Sequence, residues 1–467
     1  MSPIEGTPGG GRPGRWARRA GAALLAVATA LPARGAARAQ DIGQDAGTIA
    51  VVGGYLIDGT GGPPIPDAVV LAEDGRITRV GTVDDTEVPP DAEVVDASGR
   101  TVMPGLTDAH VHLFIVGHGD YAEYFRRYHA DEDRMREMMA ISARELIDAG
   151  VTSARDVGAA LDDALWIKEE IERGRLPGPR LFVSGPFLQK STGPLQAFFR
   201  WTVDGADDAR DKARRLVDRG VDVLKVIQLG QLTPGERRAV ADVAHSAGVP
   251  IAVHAWLEEE HRMAAEMGAA TIEHLGAGPR HTDQFTDASV RLLAESGVAV
   301  VPTMVVSKIY EITQAFPERL DHPRLAEDLP DDVHRDVRSS LEHPSRLGYF
   351  AGKRKVMDGY GAMVRKLHDG GVALGVGTDS GTPMNFHYES TWQEMRLLVE
   401  TGLSPMEVIQ MATLGNARLF GAADDIGSVE PGKLADLIVV DGNPLVEMSA
   451  LHPANVVHVL KGGELVR

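Results

Sequence analysis

His110 and His112 stand two residues apart near the end of Met103-Pro-Gly-Leu-Thr-Asp-Ala-His-Val-His-Leu113. The stretch reads as a short buried strand entered through a Pro-Gly turn. Side chains alternate across a strand, so both imidazoles project from one face. Two imidazoles on one rigid face can hold one divalent ion, with little ordering left to do on binding. A strand that merely carries two histidines is the plain alternative, and His-x-His alone does not separate the two. Four further ionisable groups weigh on the choice: Lys225, His254, His274 and Asp379. Each closes an otherwise apolar run, and burying such a group unpaired is costly. A lysine ion-paired with Asp379, beside histidines bonded to backbone carbonyls, would also answer that cost.

The elements that must position these groups decide whether they meet. Eight short apolar segments are expected as strands: 107–113, 151–157, 180–184, 221–227, 249–254, 270–274, 298–303 and 372–379. Unbroken apolar runs suit parallel strands buried on both faces. Stretches with apolar residues at spacings of three and four alternate with them, at 134–149, 206–219, 234–247 and 288–296, and read as amphipathic helices. Gly150, Gly220, Gly248, Gly268 and Gly297 stand where helix C-caps should be. This is the pattern of a (β/α)8 TIM-like barrel, whose active sites lie at the C-terminal ends of the strands. A doubly wound sheet is the alternative, but no Gly-x-Gly-x-x-Gly turn follows the first strand. In a barrel the six groups share one rim, on strands one, four, five, six and eight. Clustered His and Asp at a barrel mouth point to a metal centre.

Before and after the barrel the chain reads as strands and turns. Candidate strands lie at 48–52, 55–58, 68–71, 76–80 and 94–99, with Gly53-Gly54 as a turn, and resume at 435–440, 456–460 and 464–467. Neither end has enough strands for a two-layer core, so both are expected to build one small β-sandwich. The expected organisation is a targeting segment at 1–39, a first sandwich part at 40–104, the barrel at 105–424 and a second sandwich part at 425–467. In the first segment Arg12, Arg15, Arg18 and Arg19 precede a short apolar run, 20–31, and Ala37-Arg38-Ala39. That is the pattern of an export signal, so a periplasmic or secreted protein is expected.

A net charge of −19 argues against a sequence-independent nucleic-acid binder, which needs a basic face. No later apolar run is long enough for a membrane-spanning helix. With no cysteine, any metal must be held by His, carboxylate or modified Lys. The partner expected is a small-molecule substrate, with homo-oligomerisation left open.

With these residues in place, the chain resembles the amidohydrolase superfamily, and within it the binuclear members. Its flanking segments fit as well: Gly377-Thr-Asp-Ser380, Ala412-Thr-Leu-Gly-Asn-Ala417 and the Gly427–Leu437 run. Thr152-Ser-Ala-Arg-Asp-Val-Gly158 is similar to the branch of Xaa-Pro dipeptidases and imidazolonepropionase-like proteins. The resemblance implies metal ligands at His110, His112, Lys225, His254, His274 and Asp379, with Lys225 carboxylated. Two loops depart from that branch. Lys190-Ser-Thr-Gly-Pro-Leu-Gln-Ala-Phe-Phe199 stands where a Gly-Gly-His-Gly-like loop is usual, and Val226-Ile-Gln-Leu-Gly230 replaces a Gly-rich run.

The chemistry implied is hydrolysis. One divalent ion would take His110, His112 and Asp379, and the other His254 and His274. A neutral buried lysine can add CO2 to give an anionic carbamate able to bridge both. The nitrogen and oxygen donors suit two Zn2+ ions, though cobalt, manganese or nickel could serve. Asp379 is the expected catalytic proton carrier. The expected reaction cleaves an amide or peptide-type C–N bond in a dipeptide or N-acyl amino acid. Another amide, a lactone or an ester is the alternative substrate, and a non-catalytic metal-binding scaffold the alternative role. Substrate contacts are expected from loops past the strands, with His118, His387 and Tyr310 as candidates.

Overall fold

The first two strands of the barrel, Leu106–Val111 and Val151–Asp156, are buried along their whole length, polar and charged side chains included. The computed structural model describes residues 47–275, 285–343, 347, 349 and 359–467. The expected targeting segment, 1–39, lies outside them.

Five strands come first: β1 (Ile49–Leu56), β2 (Ile65–Glu73), β3 (Arg76–Thr82), β4 (Glu93–Asp96) and β5 (Thr101–Pro104). The barrel region supplies β6 (Leu106–Val111), β7 (Val151–Asp156), β8 (Arg180–Val183), β9 (Phe187–Gln189), β10 (Arg200–Thr202), β11 (Leu224–Val226), β12 (Ile251–His254), β13 (Thr271–Glu273) and β14 (Ala299–Val301). The chain ends with β15 (Leu437–Val440), β16 (Val456–Lys461) and β17 (Glu464–Leu465).

Both ends of the chain share one sheet, in the order β17-β16-β15-β5-β1-β2-β3, with β4 also on β1. Its join is β15 antiparallel to β5. The sheet curls back on itself. Ile77 N–H donates to Lys433 O at 2.8 Å and Ala435 N–H to Gly75 O at 2.9 Å, so β3 meets the segment leading into β15. The enclosed core includes Ile49, Val51, Leu56, Val70, Val102 and Leu437. One expectation fails here. Gly53-Gly54 is not a turn but lies inside β1, at a register shift against β2. Gly53 has φ +81°, which permits the bulge. At Gly54 a Cβ would come within 2.4 Å of the Val102 side chain.

In the barrel, parallel pairing runs β6-β7-β8 and β11-β12-β13-β14. Asp222 joins the two runs. Its N–H donates to Val183 O and its carboxylate accepts from Val183 N–H, both at 2.8 Å. The four expected helices form at Glu132–Asp148, Gly205–Arg219, Pro234–Ala247 and Asp287–Ser296, and further helices, among them Leu161–Glu172 and His387–Glu400, lie between the other segments. The first of the four begins two residues before expectation because Asp131 caps it, accepting from Arg134 N–H.

The eighth expected strand, 372–379, forms no continuous strand, yet it fills the eighth place. Val300 N–H donates to Ala373 O at 2.9 Å on one side, and Ala109 N–H to Val376 O at 2.8 Å on the other. A side chain replaces part of the ladder. Asn416 Oδ1 accepts from Val376 N–H at 3.1 Å, and its Nδ2 donates to Val376 O at 2.7 Å and Thr107 O at 3.0 Å. A π turn, Met411–Gly415, delivers Asn416 to this seam. Gly377 must stay bare, since a Cβ there would lie 2.5 Å from Val301 and 2.9 Å from the His110 Cβ.

Asn416→Ala should therefore open the seam. It leaves Val376 N–H and Thr107 O buried without that partner, which is expected to cost roughly 2–4 kcal/mol. Chemical denaturation checks this, and an unchanged midpoint would show that the ladder closes without the side chain.

Candidate metal centre

Each of the six expected groups is placed by a strand end. His110 lies on β6 and His112 just past it, on the same face. Lys225 is the middle residue of β11, His254 ends β12, and His274 follows β13. Asp379 hangs from the irregular eighth segment. His274 and Asp379 have φ of +71° and +55°, as do, at similar values, Gln228 and Thr303 at the same mouth. Each such residue costs of order 1–3 kcal/mol in backbone strain, which the surrounding barrel must hold.

The side chains converge. One donor atom each from His110, His274 and Asp379 lies within 4.8 Å of the other two. His112 Nε2 lies 3.3 Å and His110 Nε2 3.5 Å from Asp379 Oδ1. His254 Nε2 faces His274 Nε2 at 3.0 Å. Lys225 is fully buried, and its Nζ has no hydrogen-bond partner. No ion pair joins it to Asp379 among the described residues, so the plain alternative of a Lys225–Asp379 pair is not what the barrel holds.

Protonation follows from the same geometry. Burial, aided by the Lys225 charge, pulls His110 down to about 4. Burial holds His254 and His274 well below the usual histidine range, so all three imidazoles are neutral at pH 7. Burial likewise drives Lys225 down to about 7. For Asp379 burial alone would raise the pKa, but the His112 hydrogen bond and the His274 and His110 rings outweigh it, and the carboxylate stays ionised.

Sequence reading missed the groups behind these. Glu273 Oε2 accepts from His110 Nδ1 at 2.7 Å, while its Oε1 accepts from Arg155 at 2.7 Å. Arg155 also donates to Ala109 O at 2.7 Å. All three side chains are essentially without solvent contact. Burial would raise the Glu273 pKa, but the charges of Arg155 and Lys225 and the His110 bond hold it well below the carboxylate range. On the other side Thr303 Oγ1 lies 2.7 Å from His274 Nδ1. The Glu273 carboxylate can only accept, so His110 carries its proton on Nδ1 and turns Nε2 inward, while the Thr303 hydroxyl orients the His274 ring. The available signal was a charge inside a strand expected to be buried on both faces: Arg155 on one, Glu273 on another.

The centre opens into a cavity of about 270 Å3. His112, His254, His274 and Asp379 form its floor, and Phe114, Phe125, Phe187, Phe199, Trp256 and Tyr349 much of its wall. The three substrate-binding candidates lie elsewhere among the described residues. His118 accepts from Asp120 N–H at 3.0 Å and faces Asp336 at 3.3 Å. His387 sits behind β6, with Nε2 3.2 Å from His112 O. Tyr310 is buried and accepts from Gln314 at 3.2 Å. Tyr349, which like Tyr310 lies between β14 and the eighth segment, does reach the cavity.

The donor set fits divalent metal: neutral imidazoles, an ionised carboxylate, and an unpartnered amine able to become a carbamate. The family model described as "Amidohydrolase family" matches residues 101–466. The chain is 25% identical to a 5-methylthioadenosine/S-adenosylhomocysteine deaminase of Symbiobacterium thermophilum, over 90% of this chain and 93% of that protein. It is 26% identical to an imidazolonepropionase of the same organism, over 83% and 89%. Among solved structures, a Xaa-Pro dipeptidase with bound methionine superposes with TM-score 0.72 at 25% identity, covering 90% of this chain and all of that one.

Removing Glu273 strands a buried arginine. Glu273→Ala is expected to destabilise the protein by about 3–5 kcal/mol. Adding Arg155→Met should recover much of that loss. Additive effects in this double-mutant cycle, read by denaturation, would show that the two charges are not coupled.

Proposed function

The chain belongs to the amidohydrolase family, a hydrolase acting on C–N bonds, and we propose that it cleaves dipeptides or N-acyl amino acids at a two-metal centre. The observation that carries the two-metal reading is the Lys225 amine. It is buried among His110, His254, Glu273 and Asp379, without a hydrogen bond or an ion pair among the described residues. A centre with a single ion on the histidines would leave this amine without a bonding partner. The likeness to a Xaa-Pro dipeptidase supports a dipeptide-like substrate.

His110, His112 and Asp379 would hold one ion and His254 and His274 the other, with a carboxylated Lys225 shared. Divalent ions bound there supply an acidified water and a polarised carbonyl. The residues of the chain do the rest. Burial leaves the Lys225 amine neutral enough to attack CO2. Its nitrogen lone pair forms the N–C bond, an electron pair moves onto oxygen, and one proton leaves to solvent. Glu273 keeps His110 in the tautomer that aims its Nε2 inward, and Thr303 orients the His274 ring. Asp379 takes the proton of the attacking water and passes it to the departing nitrogen, so the amine leaves neutral. The aromatic wall keeps other water from the reacting carbonyl.

Elemental analysis after reconstitution with divalent metal should find two ions per chain; one or none would overturn the two-metal reading. Lys225→Ala should lose bound metal and drop hydrolysis by roughly 100-fold or more. Acetate or propionate, entering the vacated space, should restore part of the rate. A folded Lys225→Ala protein with full activity would remove Lys225 from the centre.

A further inference from the structure

Arg200 opens β10, which lies beside β9 with Arg200 opposite Phe187. It directly follows the 190–199 loop. Its guanidinium carbon is 5.0 Å from the Phe199 ring centre and 5.4 Å from that of Phe187. The two rings fix the plane of the group and cover part of it, leaving the residue half-buried. Arg200 lines the cavity wall together with His254 and Trp256. Its Nε is buried with no hydrogen-bond partner, and no ion pair to it exists among the described residues. The nearby Lys190 is different: its ammonium is already 2.7 Å from Glu236. Arg200 is thus a cation aimed at the reaction chamber with its charge unanswered.

A desolvated, unpaired guanidinium is unfavourable unless an anion completes it. Its fork of donors matches a carboxylate two bonds at a time. The surrounding wall is otherwise mostly aromatic and apolar. We propose that Arg200 binds a free carboxylate of the substrate on the His254 side of the cavity, while the phenylalanine rings take an aromatic or large apolar group. This deepens the hydrolase reading above and rests on it. The substrates are then N-acyl amino acids or dipeptides with an unblocked α-carboxylate, rather than neutral amides or esters.

The test pairs N-acetyl-L-phenylalanine with its carboxamide, on the metal-reconstituted enzyme, following acetate release. The acid should exceed the carboxamide in kcat/KM by about 100-fold. Arg200→Met should collapse that ratio to about threefold or less, chiefly through KM, and Arg200→Lys should retain an intermediate ratio. Calorimetry with 3-phenylpropionate and 3-phenylpropanamide reads the subsite without turnover. The acid should bind about tenfold tighter or better in wild type, and the gap should vanish in Arg200→Met. A gap that survives in Arg200→Met places the carboxylate elsewhere and overturns the proposal. Equal turnover of the two substrates by wild type overturns it without any variant and keeps the hydrolase. Arg200-dependent binding with no turnover of either keeps the subsite and overturns the hydrolase reading.

Discussion

Glu273 is the group on which the centre depends. Its carboxylate lies between Arg155 and His110 in the barrel interior, with no solvent on any side. A lone carboxylate there would protonate; the arginine keeps it ionised. Once ionised, it holds His110 in a single tautomer and orientation. Three strands, β6, β7 and β13, are thereby locked together by one charge. The ion pair is worth little as a source of net stability, because both groups were taken out of water. Its value lies in making one arrangement of the strand ends far better than any other.

Around that anchor the barrel tolerates irregularity where chemistry needs it. His274, Asp379, Gln228 and Thr303 take left-handed backbone conformations that a regular strand would refuse. The eighth segment gives up its ladder, and Asn416 supplies the missing hydrogen bonds from a π turn. The strained residues lie at the C-terminal rim, where they re-aim side chains toward one another. The Asn416 seam lies deeper, at Val376 and Thr107 near the start of β6.

The cavity follows a different logic. Its floor is polar and charged, and its wall is built from phenylalanines carried by β9, the 190–199 loop and the segment after β6. A low-dielectric wall strengthens every electrostatic contact on the floor. It also makes Arg200, the one cation of that wall among the described residues, conspicuous. The proposed carboxylate subsite sits at the end of the 190–199 loop, outside the strand ends that carry the metal-ligand candidates.

The alternation of strands and helices, and the approximate place of each strand, can be read from the sequence alone. Those are local properties: apolar runs, 3.6-residue periodicity and cap residues depend on near neighbours. The convergence of His110, His112, His254, His274 and Asp379 was legible because a barrel puts strand ends on one rim. What stands behind them is set by contacts between distant parts of the chain. Arg155 and Glu273 are 118 residues apart in the chain, and nothing local says that one buried charge will meet the other. The bulge at Gly53-Gly54 reads as a turn locally, and only the approach of Val102 turns it into strand. The broken eighth strand depends on Asn416, and the position of Arg200 on two rings, Phe187 and Phe199, brought together by folding. Periodicity records which face a residue takes; it cannot record which distant partner waits on that face.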